Sequence, residues 1–162
     1  MTLVLKAARR AGAVALALVS LMLLSPSPAQ AATYVELRND GTLKCLAIPS
    51  SDDSNGVAAV QWTCNDNDDQ RWELRDKDQG DDEVWLVNKA TGKCLGAGHN
   101  DGNVTFQYTC GSSTEFLWIH DSIGRLRHPY GDWCLAVPNS STASGVQPIL
   151  WTCTLNQDQQ WS

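Results

Sequence analysis

The sequence contains few basic residues. Lysine and arginine together number 12 of 162 residues, against 18 aspartates and glutamates. Three of the basic residues lie in the first ten positions, so the chain after residue 31 has nine basic and 18 acidic residues and a net charge of −9. Binding to duplex DNA or to anionic membranes depends on clustered lysine and arginine. We therefore expect neither nucleic acid nor a membrane surface as a partner.

The sequence also lacks an apolar run of the roughly 20 residues that a membrane-spanning helix needs. Its longest run, residues 11–24, follows Lys6, Arg9 and Arg10 and precedes the small-residue stretch SPSPAQA. This order is typical of a secretory signal peptide that is cleaved after Ala31, and a membrane anchor is the alternative. We expect residues 1–31 to be removed, which leaves residues 32–162 as one secreted, extracellular domain.

Catalytic and metal-binding motifs are missing as well. The chain has no G-x-S-x-G sequence and no histidine-based triad pattern, and a domain of this length leaves little room for a glycosidase cleft. Its acidic stretches at residues 66–69 and 76–83 lack the central glycine and the distal glutamate of an EF-hand. Its histidines at positions 99, 120 and 128 show no zinc-ligand spacing. We therefore predict a non-catalytic protein without a metal or cofactor.

What the chain does contain is a unit that occurs three times. Its first half reads VELRNDGTLKCL, then VWLVNKATGKCL, then GRLRHPYGDWCL. Its second half has an aromatic residue two positions before a cysteine and a tryptophan eight positions after it. These late tryptophans, Trp72, Trp118 and Trp161, recur after 46 and 43 residues, a period that is typical of a repeat architecture.

Local patterns within each unit predict β-structure. Short stretches of alternating apolar and polar residues are bounded by glycine-containing turns, which favours four strands per unit and twelve in all. No window after the first thirty residues has a sustained helical period. Six cysteines after a secretory signal indicate disulfide bonds rather than a reduced metal site, although composition alone allows 15 pairings.

The repeated cysteine pair, the CL motif and the Q-x-W endings at Gln70–Trp72 and Gln159–Trp161 resemble the ricin B-type lectin domain. The resemblance covers residues 34–161 and implies an all-β fold, the β-trefoil, in which a six-stranded barrel is capped by three hairpins. The three lobes would span residues 34–75, 83–121 and 123–162, approximately. The resemblance also implies one disulfide within each lobe, namely Cys45–Cys64, Cys94–Cys110 and Cys134–Cys153.

Two sets of aromatic residues have different predicted roles. The late tryptophans are expected to form the core, one per lobe, because each can bury a large apolar area. The earlier aromatics stand where family members stack a sugar ring, whose C–H face fits an aromatic ring. Ordinary packing under the long loop is the alternative for this second set, which comprises Trp62, Tyr108 and Trp151.

The polar part of the family's sugar site is altered in this sequence. Sugar-binding members carry an aspartate two residues after the first cysteine of a lobe, where this chain has Ala47, Gly96 and Ala136. The middle lobe has also replaced a polar pair by Glu115-Phe116, so lobes one and three are the better candidates. The side chains that could still accept a hydrogen bond from a sugar hydroxyl are Asp69, Gln70, Asp158 and Gln159.

Two functions are consistent with these residues. The first is a secreted, non-catalytic carbohydrate-binding module in which sugars stack on one aromatic per lobe. The second is a β-trefoil that binds an extracellular protein, for example as a toxin accessory. The first is the preferred function and the second is the alternative, whose best support is the loss of all three family aspartates, because a scaffold freed from sugar recognition keeps its core while its loops diverge. A monomer is expected in either case.

Overall fold

Eleven β-strands and five short 3-10 helices make up the described part of the chain, which is residues 31–78 and 82–162 of a computed structural model. The predicted signal peptide lies outside the described residues, apart from Ala31, and stays a prediction. None of the helices in the described ranges is long and apolar enough to cross a membrane. The strands are β1 (Val35–Glu36), β2 (Cys45–Ala47), β3 (Val60–Trp62), β4 (Arg71–Asp76), β5 (Glu83–Asn88), β6 (Cys94–Ala97), β7 (Thr105–Tyr108), β8 (Leu117–His120), β9 (Leu126–His128), β10 (Trp133–Ala136) and β11 (Ile149–Thr152).

Five of these strands and the segment Gln160–Trp161 form a closed ring. Antiparallel pairing runs from β1 to β4, β5, β8 and β9 in that order. Single antiparallel bridges then join Arg125 to Gln160 and Trp161 to Asn39, so the last segment returns to the first. The twelfth predicted strand is therefore reduced to isolated bridges, although it occupies the expected place in the barrel.

Three hairpins complete the trefoil, one in each lobe. They are formed by β2 with β3, β6 with β7, and β10 with β11. The six cysteines pair within their own lobes, with Cα atoms 5.0–5.1 Å apart, and this confirms the predicted disulfides Cys45–Cys64, Cys94–Cys110 and Cys134–Cys153. A disulfide that closes a loop of this length contributes about 3 kcal/mol in the chain-entropy model. Each disulfide thus holds a hairpin that is too short to be stable alone.

The three late tryptophans form the centre of one core, as predicted. Trp72, Trp118 and Trp161 have no exposed surface, and the leucines of the three CL motifs pack in the same buried cluster. Each indole N–H donates a hydrogen bond to the carbonyl of the CL leucine in its own lobe, at 2.9–3.0 Å. In each lobe this hydrogen bond therefore joins the barrel segment that carries the tryptophan to the hairpin that carries the CL leucine.

His128, at the end of β9, is a buried polar residue between lobes two and three. Its Nδ1 accepts a hydrogen bond from the Tyr130 N–H at 3.4 Å, and its ring makes an edge contact with His99, with centroids 4.8 Å apart. Nε2 has no hydrogen-bond partner within the described ranges. Burial, helped by the nearby His99, lowers the pKa of His128 from 6.5 to about 4. The ring is therefore neutral at pH 7.

Truncation of a late tryptophan should destabilise the whole domain. Trp72→Ala removes a fully buried indole and leaves the Leu46 carbonyl without its donor, so the free energy of unfolding should fall by about 3 to 5 kcal/mol. Trp62→Ala is the matched control, because that side chain is exposed. Urea denaturation of the oxidised protein measures both. An equal loss in the two variants would contradict the assignment of roles.

Acidification should weaken the fold through His128. Between about pH 6.5 and pH 4 the unfolded chain takes up a proton that the folded His128 does not, so stability falls as pH falls through this window, by up to about 3 kcal/mol. His128→Asn should remove this part of the decline. Melting temperatures of the protein and the variant at pH 7 and pH 4.5 test the prediction, and identical slopes would refute it.

Candidate functional site

Lobes one and three each contain a surface cleft built from equivalent residues. The clefts have volumes of about 570 and 440 Å³. Equivalent lining residues of the two clefts stand 89 positions apart along the chain, so the second cleft repeats the first. The lining of the first includes Ala47, Pro49, Ser50, Ser51, Val60, Trp62, Asn65, Asn67 and Asp69, and that of the second includes Ala136, Pro138, Asn139, Ser140, Ile149, Trp151, Thr154, Asn156 and Asp158.

An aromatic ring forms one wall of each cleft. Trp62 and Trp151 are 48% and 49% exposed, so the structure does not bury them under the long loops. Alternation along β3 turns the neighbouring Gln61 inward, where it is fully buried and donates to the carbonyls of Ser141 and Ala143. The lobe-three loop that carries these carbonyls also passes beside the ring, because a Cβ at Gly145 would lie 3.6 Å from Trp62. The first cleft therefore lies beside a loop of lobe three.

The floor and the acidic side of each cleft come from different elements. Ala47 and Ala136 are buried, so β2 and β10 supply no polar group at the family's aspartate position. A carboxylate comes instead from the 3-10 helices Asp68–Gln70 and Gln157–Gln159. These carboxylates belong to Asp69 and Asp158, and partial burial raises the pKa of both above its ordinary value. Each cleft thus offers a partly desolvated hydrogen-bond acceptor.

The two glutamines of the predicted site form hydrogen bonds to the backbone of their own lobes. Gln70 is fully buried, its Oε1 accepts the Asn65 N–H at 2.9 Å and its Nε2 donates to the Thr63 carbonyl at 3.0 Å. Gln159 makes the equivalent two bonds in lobe three, at 2.6 and 3.0 Å. Both amides are thus used by the backbone of the loop after the second cysteine. Gln159 nevertheless lines the second cleft, and contact of either glutamine with a sugar hydroxyl stays a prediction.

Sequence reasoning missed the rim of the clefts. The 3-10 helices Pro49–Ser51 and Pro138–Ser140 border them, and the four residues after the two prolines have left-handed backbones, with φ between 47° and 57°. The available signal was a proline followed by small polar residues, because serine and asparagine favour turns and asparagine tolerates the left-handed region. The hydroxyl and amide groups of these residues add polar contacts at the rim, and Ser140 lies beside Asp158.

Phenylalanine rings occupy the space over the hairpin of lobe two. Phe116 and Phe106 lie above Gly96, so close that a Cβ at this glycine would be 2.8 Å from Phe116 and 3.2 Å from Phe106. Phe116 is buried with Val87 and Cys94 in a second small cluster. Tyr108 is still 46% exposed, but the space beside it is filled with apolar rings.

A hairpin-capped barrel with polar clefts beside exposed tryptophans defines the class of the protein, a β-trefoil of the lectin type. The family model described as the ricin-type beta-trefoil lectin domain matches residues 33–161, and the chain belongs to that family. Membership supports a carbohydrate-binding module and a non-catalytic domain. A search of the curated proteins finds no match.

Solved structures agree with this assignment. The chain is similar to ThreeFoil, a designed threefold-symmetric protein, with 27% identity, a TM-score of 0.74, and coverage of 79% of this chain and 95% of the other. An exo-beta-1,3-galactanase from Clostridium thermocellum is 26% identical with a TM-score of 0.72, over 82% of this chain and 30% of the enzyme. The Rhizoctonia solani agglutinin shares the fold at 19% identity and a TM-score of 0.71, over 85% and 96% of the two chains.

The cleft aspartates should reduce the stability of the fold. Because the pKa of Asp69 is raised, ionisation of its carboxyl opposes folding above that pKa. Asp69→Asn should therefore give a small rise in melting temperature at pH 7 and no rise at pH 3, where the carboxyl is protonated. Asp53→Asn is the matched control, because the Asp53 side chain is exposed. A lower melting temperature for Asp69→Asn at pH 7 would contradict this reasoning.

Proposed function

We propose that this protein is a secreted carbohydrate-binding module that binds sugar rings in the clefts of lobes one and three. The observation that carries the proposal is the repetition of one arrangement, a half-exposed tryptophan beside a partly desolvated aspartate, in two lobes of a ricin-type lectin domain. Secretion is inferred from the basic, apolar and small-residue order of residues 1–31.

The chemistry of the clefts suits a neutral sugar. The C–H face of a pyranose would stack on Trp62 or Trp151, which supplies apolar contact without fixing the orientation of the ring. Hydroxyl groups at the edge of the ring would donate to the carboxylate of Asp69 or Asp158. An anionic sugar is disfavoured, because it would meet this carboxylate and a chain whose net charge after residue 31 is −9.

Two clefts on one domain favour ligands that present many sugars. A shallow single site typically binds at about the millimolar level, which corresponds to roughly −4 kcal/mol. Engagement of the second cleft by the same polymer or glycan surface becomes intramolecular, and the combined affinity rises without any new contact. A polysaccharide or a dense glycan layer is therefore the proposed partner, rather than a free monosaccharide.

Binding to a protein, as in a toxin-accessory module, is the second candidate. It is supported by the exposed apolar side chains Leu43 and Leu155, which are 59% and 77% accessible. Loss of the carboxylate at the family's aspartate position supports it too, since that position holds Ala47, Gly96 and Ala136. This candidate would be favoured over sugar binding if one defined extracellular protein co-purified with the oxidised domain and a glycan array gave no signal.

Removal of both tryptophan walls should abolish carbohydrate binding. The double variant Trp62→Ala plus Trp151→Ala loses the stacking surface of both clefts while the late tryptophans stay in the core. We expect its signal on a glycan array and in polysaccharide pull-down to fall to background. Tyr108→Ala is the matched control, because it removes an equally exposed ring from the lobe that phenylalanines fill, and it should retain binding. Undiminished binding by the double variant would eliminate the stacking mechanism.

A further inference from the structure

Two buried asparagines connect neighbouring lobes at the clefts. Asn39 and Asn88 stand two residues after equivalent buried leucines, and neither has exposed surface. The Oδ1 atom of each accepts N–H groups of its own turn, from Thr42 at 3.0 Å and from Ala90 at 3.1 Å. Their Nδ2 atoms point the other way, toward the preceding lobe in the ring.

The acceptor of each Nδ2 is the backbone of a cleft aspartate. Asn88 of lobe two donates to the Asp69 carbonyl of lobe one at 2.8 Å. Asn39 of lobe one donates to the Asp158 carbonyl of lobe three at 2.9 Å and, more weakly, to the Gln160 carbonyl of the same lobe at 3.3 Å. Each asparagine therefore serves a cleft in a lobe other than its own.

A second donor reaches the same two carbonyls from within the cleft's own lobe. The N–H of Ile48 donates to the Asp69 carbonyl at 3.1 Å, and the N–H of Val137 donates to the Asp158 carbonyl at 3.0 Å. Two donors on one carbonyl fix the orientation of its peptide group. Since the aspartate side chain leaves the backbone at the Cα next to that carbonyl, the same pair of bonds holds in place the backbone from which the carboxylate projects.

The third junction shows what happens without the asparagine. Its equivalent position holds His128 of lobe three, which lies near the Thr114 backbone of lobe two but whose Nε2 forms no hydrogen bond of normal geometry in the described part of the chain. The lobe that His128 faces is lobe two, where phenylalanines cover Gly96. Within this molecule, the asparagine is present at the two junctions beside an open cleft and absent at the third. The fold itself tolerates histidine at this position.

We propose that Asn88 and Asn39 are positioning residues for carbohydrate binding across the lobe boundary, Asn88 for the cleft of lobe one and Asn39 for the cleft of lobe three. The inference rests on the proposed function, since it assigns these residues to the same clefts. Its distinctive consequence is a crossed pattern. A substitution in lobe two weakens the site in lobe one, and a substitution in lobe one weakens the site in lobe three.

The experiment uses proteins that retain a single cleft. Trp151→Ala leaves the cleft of lobe one and Trp62→Ala leaves the cleft of lobe three, and each parent receives Asn88→His or Asn39→His. Binding is measured on a printed panel of neutral glycans terminated by galactose, N-acetylgalactosamine, glucose or xylose. Asn88→His should weaken binding by about 3- to 10-fold in the parent with cleft one, the usual range for one hydrogen bond, and leave the other parent unchanged. Asn39→His should do the reverse.

Amide hydrogen exchange provides a readout that needs no sugar. Asn88→His should accelerate exchange at the Ile48 N–H, which shares the Asp69 carbonyl, and leave the Val137 N–H unchanged. Asn39→His should accelerate exchange at Val137 alone. A general loss of stability would instead raise exchange at both amides and weaken both clefts. The alanine variants repeat the comparison if a histidine does not fit.

The outcomes separate the two proposals. Crossed effects on binding and exchange support the positioning role. The positioning role would be overturned by equal effects in both lobes, by no effect in either, or by loss of folding in both the histidine and the alanine variants. The asparagines would then serve the whole fold or nothing. If neither single-cleft parent binds any glycan of the panel, the proposed function fails, whereas parents that bind without a crossed effect refute the positioning role alone.

Discussion

The hydrogen bond between each buried indole N–H and the carbonyl of the CL leucine is the interaction on which the lobes depend. It joins a barrel strand to a hairpin at a point that water cannot reach, where an unpaired carbonyl would cost about 1 to 3 kcal/mol. No lobe could supply this environment alone, because the three indoles and the surrounding leucines bury one another in a single cluster. The core is thus shared, and the outer parts of the lobes can diverge separately.

The same strand geometry that builds the core exposes the cleft tryptophans. In the hairpins of lobes one and three the aromatic lies opposite the first cysteine of the lobe. Since side chains alternate along a strand, the exposed Trp62 is preceded by an inward glutamine, which bonds to a loop of lobe three. The exposed ring and the inter-lobe contact therefore come from adjacent residues of one strand.

The sequence predicted those features that depend on spacing. Identical intervals in three repeats were enough to indicate the repeated unit and the burial of Trp72, whereas the disulfide pairing and the trefoil followed from the resemblance to the ricin B-type lectin domain. Spacing could not indicate that the Gln70 amide turns inward, because a glutamine can reach either a loop carbonyl or a ligand from the same backbone position. It also could not show that Phe106 and Phe116 meet above Gly96, since the two phenylalanines come from different elements and their contact depends on tertiary packing.

The three lobes differ in what lies over their hairpins, and this difference affects both stability and function. Lobe two fills the space over its hairpin with phenylalanine, which lowers the free energy of the fold by burying apolar surface. Lobes one and three instead keep Asp69 and Asp158, whose raised pKa reflects the cost of partial burial. Lobe two has a carboxylate, Glu115, at the equivalent position as well, but it replaces the neighbouring glutamine by Phe116, which covers the hairpin. A cost of this kind, in the two lobes whose clefts stay open, is expected where the groups serve a ligand rather than the core.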